Sequence, residues 1–172
     1  MQGYTFIELI ITLTIISLLT AWGMPNYRDF QMNNALVSER NRLLGTVHFA
    51  RNQSIIRSQH VVICPSQNAH SCNAANQWHK GWIAFADEDL DRQRQPEELL
   101  LHAEGPMRSG ISATSSIARS KIRYNREGYS PGTNATISVC DSRGNAFGKT
   151  LVISNVGRPR QSGSTNAQCR NN

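Results

Sequence analysis

Acidic residues all but disappear from the second half of this sequence. Arg108–Asn172 holds 10 basic and only 2 acidic residues, whereas Met1–Met107 holds 8 basic and 10 acidic. In a chain of net charge +6, that asymmetry points to a polyanion, nucleic acid or a membrane surface, as the partner of the second half. Aromatic residues are also few, at 7% of the chain, and none is interleaved with the arginines after Leu151. With none there, base stacking is not expected, and contact should be phosphate-led and sequence-tolerant. Catalytic spacings are missing as well. The five histidines are scattered, with no H-E-x-x-H pair or triad spacing, and no G-x-S-x-G nucleophile elbow occurs. The chain is therefore not expected to be an enzyme.

Charge is absent from Ile7–Met24 with one exception, Glu8. As a helix, this 18-residue stretch would span roughly 27 Å, close to the thickness of a bilayer core. It lacks the charged n-region and small-residue cleavage site of a secretory signal peptide. A carboxylate inside such a segment is costly, so Glu8 is expected to have a role that a plain anchor does not need. Pro25 is expected to kink the helix rather than end it, because helix-compatible sequence resumes at once. Leu36, Leu43, Val47, Ala50 and Ser54 recur at spacings of three, four and seven residues, one face of an amphipathic helix reaching about Ser58. Arg40, Arg42, Arg51 and Arg57 would be solvated or cap its far end. Six short β-branched or apolar runs follow, at 61–64, 81–85, 98–102, 121–124, 136–140 and 150–154, divided by Gly, Pro, Asn and Ser clusters. At 172 residues the chain has room for one domain and an N-terminal appendage. The fold class expected is α+β: a long N-terminal helix, half membrane-grade and half amphipathic, packed on an antiparallel β-sheet domain.

Four cysteines, Cys64, Cys72, Cys140 and Cys169, allow three disulfide pairings. Local proximity favours Cys64 with Cys72 and Cys140 with Cys169. Zinc is the competing reading, since His70 and His79 lie near the first pair. However, C-x7-C is wider than the knuckles of structural zinc sites, and the second pair has no histidine nearby. Asp87, Asp89, Asp91 and Glu98 fall at positions 1, 3, 5 and 12 of a calcium loop. Yet Arg92 stands where such a loop demands glycine, and strands rather than helices flank it. A solvated acidic turn is expected, with no metal and no other cofactor. Gly144–Thr150 is one residue short of a phosphate-binding loop and leads into a strand, so it reads as a glycine-rich hairpin. Trp78, Trp82 and Phe85 could form a platform for a sugar or base, but strand alternation directs at least part of the set into the core.

The strongest contact motif is Gly157-Arg158-Pro159-Arg160. Pro159 fixes its own φ and pushes Arg158 toward extended backbone. Side chains at i and i+2 of an extended segment share a face, roughly 6.5–7 Å apart, which suits two guanidiniums on successive phosphates. Gly157 permits a turn and close backbone approach. A Cys140–Cys169 bridge would enclose the motif and hold the arginines in place, and Arg143, Lys149 and Arg170 lie in or beside the same loop, where they would extend the patch.

Gly3-Tyr4-Thr5-Phe6-Ile7-Glu8, followed by the apolar run and Pro25, resembles the start of a type IV prepilin. In that family a dedicated prepilin peptidase cuts after the glycine, here Gly3, and N-methylates the new first residue, here Tyr4. The family's glutamate, here Glu8, meets the N-terminal amine of a neighbouring subunit as the filament assembles, and pairing relieves the cost of a charge among apolar helices. Gln2 departs from the lysine or arginine usual in the leader. Further blocks, Val62–Ser66, Gly81–Phe85, Cys140–Gly144 and Val156–Arg160, resemble minor pilins of the FimT and GspH type over nearly the whole chain. The resemblance implies a leader at 1–3, an assembly helix at 4–24, its amphipathic continuation at 25–58 and a globular β-domain at 59–172. It also implies a single-pass protein of the bacterial inner membrane with a periplasmic domain, later placed in an extracellular pilus at or near the tip among other pilins. Members with the Gly-Arg-Pro-Arg element are associated with DNA binding in natural transformation, which implies DNA contact by Gly157, Arg158, Pro159 and Arg160. The alternative is a structural minor pilin or a type II secretion pseudopilin that primes filament assembly, its basic loop facing another subunit.

Overall fold

The computed structural model describes residues 5–163 and 167–169, and its first element is helix α1, Phe6–Arg57. Thr5 caps that helix. Its Oγ1 accepts the Glu8 backbone N–H at 3.4 Å, one of the donors that a first turn leaves without an intrahelical partner. Glu8 itself lies in the first turn, where a negative charge suits the helix N-terminus. The large apolar side chains from Phe6 to Phe30 are exposed, and the helix is long and apolar enough to cross a membrane. Its hydroxyl side chains in that stretch are satisfied internally. Thr12, Thr14, Ser17 and Thr20 each donate their hydroxyl to a carbonyl three residues back, so the apolar segment carries them at little cost. The helix passes through Pro25 without ending. Contacts group the chain into two units, Met1–Ala35 and Leu36–Asn172.

In the second unit the stripe Leu36, Leu43, Val47, Ala50 and Ser54 is buried. Glu39 and Thr46 occupy the same stripe, and each has a partner. Thr46 Oγ1 accepts the Trp82 indole N–H at 3.0 Å. Glu39 pairs with Arg42 at 3.3 Å and accepts the Arg108 backbone N–H at 3.3 Å. The helix arginines do more than face water. Arg42 donates to the Gly105 and Pro106 carbonyls and lies 4.9 Å over the Trp82 ring. Arg51 donates to the Gly128 carbonyl at 3.0 Å. Both pin distant loops to the helix.

Eight strands among the described residues form two antiparallel sheets of four. The first contains β1 (Val61–Pro65), β2 (Trp82–Ala86), β3 (Leu100–Glu104) and β5 (Ile122–Tyr124), in the order β3-β2-β1-β5. The second contains β4 (Ser112–Thr114), β6 (Ala135–Cys140), β7 (Lys149–Ile153) and β8 (Pro159–Ser162), in the order β4-β6-β7-β8. The main core joins the buried stripe of α1 to Val61, Ile63, Trp82 and Ala84 of the first sheet and to Ile137, Val139, Leu151 and Ile153 of the second. The alternate residues Val62, Cys64, Ile83 and Phe85 form a smaller cluster on the far face of the first sheet, where Cys72 packs against them. Strands β1 and β2 are thus buried on both faces, which explains their continuous apolar sequence. Trp78, Trp82 and Phe85 are all fully buried, so they form no platform. β3 starts two residues later than the apolar run at 98–102 suggests. Glu98 belongs to the preceding loop, where its carboxylate accepts the Glu88 and Gln95 backbone N–H groups, both at 2.9 Å.

Candidate functional site

The Gly157–Arg160 motif occupies the turn between β7 and β8 and the first half of β8, which is an edge strand. The Gly157 N–H donates to the Ser154 carbonyl at 2.8 Å, and the Ser154 hydroxyl donates to the Arg158 carbonyl at 3.2 Å. Gly157 takes φ +76°, a conformation costly for any residue with a side chain. A Cβ there would also collide with the Gly128 carbonyl and approach the Tyr124 ring to 3.1 Å. Tyr124 is itself fully buried, and its hydroxyl donates to the Gly157 carbonyl at 3.3 Å. Burial pushes its phenol well above the ordinary tyrosine range. The turn is therefore locked onto β5.

Arg158 and Arg160 are both exposed. Among the described residues neither guanidinium has a hydrogen-bond or ion-pair partner. Arg160 is paired with Val152, and Val152 with Thr136, so the three share the outward face of the second sheet. Together with Gln161 and Ser162 they line a groove of about 340 Å³. Thr136 also borders a larger polar groove of about 680 Å³, whose walls include Asn76, Arg119, Asn134 and Ser138. The Arg119 guanidinium is engaged there, donating to the Gly132 carbonyl at 2.6 Å and to Asn134 Oδ1 at 2.7 Å.

The flanking candidates differ from one another. Arg143 folds back onto Asp141 at 2.7 Å, mostly buried, and lies 4.4 Å over the Phe147 ring. Its charge is neutralised inside its own turn. Lys149 opens β7 and is partly buried. Arg170, like Gly3 and Tyr4, lies outside the described residues.

The disulfides join Cys64 to Cys72 and Cys140 to Cys169, and no described cysteine is free to hold zinc. His79 is held by the backbone of Ala113. The glycine-rich segment at 144–150 is shaped by the second bridge. A Cβ on Gly148 would lie 2.7 Å from the Ala167 Cβ and 3.0 Å from the Cys169 Sγ. That bridge encloses the arginine motif, but β7 pairing and Tyr124 orient it. The acidic turn is not solvated throughout, because Asp87 and Glu98 are buried at 2% and 7% exposure.

A long helix, apolar at its start and packed at its end on antiparallel sheets, defines a type IV pilin-like fold. The family model for type II transport protein GspH matches residues 39–157, and the chain belongs to that family. Among solved structures the fold is similar to that of the type IV minor pilin FimU of Pseudomonas aeruginosa strain PAO1, with a TM-score of 0.63 and 20% identity over 81% of this chain and 96% of that one. It is also similar to the minor pseudopilin EpsH from the type 2 secretion system of Vibrio cholerae, with a TM-score of 0.51 and 6% identity over 76% of this chain and 98% of that one. At such identities the likeness is one of fold. No match was found among curated proteins. The matched family region ends at Gly157, so Arg158 and Arg160 lie just beyond it.

Proposed function

We propose that this protein is a FimT-like minor pilin of a type IV pilus that captures extracellular DNA for uptake in natural transformation. The observation that carries this reading is the state of Arg158 and Arg160. They are exposed and without side-chain partners among the described residues, Arg160 on an edge strand and Arg158 in the turn before it, which Gly157 and Tyr124 fix. Charge held in position before the ligand arrives is what phosphate contact requires, and arginine's planar fork suits it. Lys149 and Arg170 would extend the patch, whereas Arg143 is committed to Asp141. In this reading prepilin peptidase cleaves after Gly3 and methylates Tyr4. Glu8 pairs with the amine of a neighbouring pilin, and the protein moves from the inner membrane into the filament.

The test is titration of the full chain, in detergent micelles, with labelled duplex DNA of mixed sequence. Binding should be modest, with a dissociation constant of about 10⁻⁴–10⁻⁶ M, and Arg158→Ala/Arg160→Ala should weaken it about tenfold or more. Equal binding by the double variant would overturn the site assignment.

Family membership favours a second reading, a structural minor pilin or type II secretion pseudopilin whose basic strand faces another subunit. Cells carrying the double arginine variant separate the two. Normal pili with lost DNA uptake would reject the structural reading, and defective filaments would reject the first.

A further inference from the structure

Half of the chain's 12 acidic residues lie in Asp87–Glu98, between β2 and β3. Within that loop Asp87, Asp89 and Asp91 each place a carboxylate oxygen within 4.8 Å of the others. Like charges so close repel strongly unless something neutralises them. Asp89 and Asp91 are exposed, but Asp87 is 2% exposed. Its Oδ1 accepts the Arg92 backbone N–H at 3.3 Å, whereas its Oδ2 is buried with no partner. A buried carboxylate oxygen left in that state has room to accept a cation. Among the described residues no lysine or arginine forms an ion pair with any of the three aspartates.

Gln95 reaches the same place. Its Nε2 donates to Asp89 Oδ2 at 3.0 Å and to Asp91 Oδ2 at 2.9 Å, while its Oε1 is buried without a partner. Rotating that amide by half a turn would present an oxygen to the cluster instead.

We propose that Asp87, Asp89 and Asp91, together with Gln95, bind one calcium ion. These residues stand at positions 1, 3, 5 and 9 of a twelve-residue calcium loop, whose position 12, Glu98, shapes the loop by accepting the Glu88 and Gln95 backbone N–H groups. The sequence argues against this because Arg92 replaces the glycine of position 6, but Arg92 adopts the left-handed turn itself, at φ +64°. The objection therefore concerns local strain and not the path of the chain. All the donors are carboxylate or amide oxygens, hard ligands that suit calcium. A loop of this length also adapts to calcium's six to eight ligands more readily than to the strict octahedron of magnesium.

The test uses the full chain in detergent micelles, freed of metal with EDTA. Calorimetric titration and thermal unfolding are followed with CaCl2 up to about 10 mM, above the dissociation constant expected for such a site, about 10⁻⁴–10⁻³ M. NaCl matched in ionic strength and MgCl2 serve as comparators. Saturable binding of one calcium per chain and a raised unfolding midpoint are expected. Both should vanish in Asp89→Asn/Asp91→Asn, which alters only exposed side chains, and circular dichroism checks that the variant is folded. No saturable calcium binding, equal binding by the folded variant, or an equal response to magnesium would overturn the proposal.

Discussion

Gly157 meets three demands at one position: a left-handed φ, contact with the Gly128 carbonyl, and acceptance of the Tyr124 hydroxyl by its own carbonyl. Gly157→Ala should therefore cost about 2–4 kcal/mol, the sum of a strained backbone and a steric clash. The loss would appear as a lower urea midpoint with an unchanged m-value. The same substitution should weaken DNA binding, because the turn that presents Arg158 must shift. The glycine's freedom is readable in the sequence, since it precedes Arg158-Pro159 at the end of an apolar run. Tyr124's share is not, because the contact spans 33 residues. Arg143 shows the opposite case. Asp141 stands two residues before it, so the ion pair that removes it from the contact surface is local enough to have been anticipated. Glu39 and Thr46 are buried polar residues on a stripe that is apolar apart from them and Ser54. Hydrophobic spacing cannot reveal such residues, since what makes them tolerable is a partner elsewhere in the chain.

At the scale of elements, apolar runs marked the strands that make their own case for burial and missed the two that do not. β4 is Ser-Ala-Thr, and β8 begins with proline and arginine. Both are edge strands of the second sheet, polar as exposed edges commonly are. Each is a strand because β6 or β7 offers it a ladder, which is a property of the neighbour. The division into two sheets was likewise not legible, because alternation within a strand says which side is apolar and not which strands meet. The β7–β8 ladder also separates two roles that the Cys140–Cys169 bridge might have combined. Cys140→Ser/Cys169→Ser should lower stability by about 3–4 kcal/mol, the loop-closure value for a separation of 29 residues. DNA affinity should change less than about threefold, given that β7 and Tyr124 hold the motif without it. Denaturant unfolding and the DNA titration measure the two effects on one sample. A loss of binding as large as in the arginine variant would mean that the bridge positions the arginines.

Across the whole molecule a good part of the positive charge is engaged at home. Arg42 and Arg51 pin loops to α1, Arg119 bonds to Gly132 and Asn134, and Arg143 is paired with Asp141. Lys121 and Arg123 lie near enough to the acidic loop to feel Asp87. The basic half of the sequence therefore overstates the surface available to a polyanion. At physiological ionic strength charges more than about 8 Å apart are largely screened, so binding should follow the few cations that touch phosphate, and not net charge. Two or three contacts, from Arg158, Arg160 and Lys149, predict a plot of log affinity against log salt with a slope of about −2 to −3. Raising salt from about 50 to 200 mM should then weaken duplex binding about 15–65-fold. Arg158→Ala/Arg160→Ala should flatten the slope by about 2, as each lost phosphate contact retains its counterion. A wild-type slope of about −6 or steeper would mean that the whole basic half engages the duplex, and the account built on two arginines would fail even if their removal weakened binding.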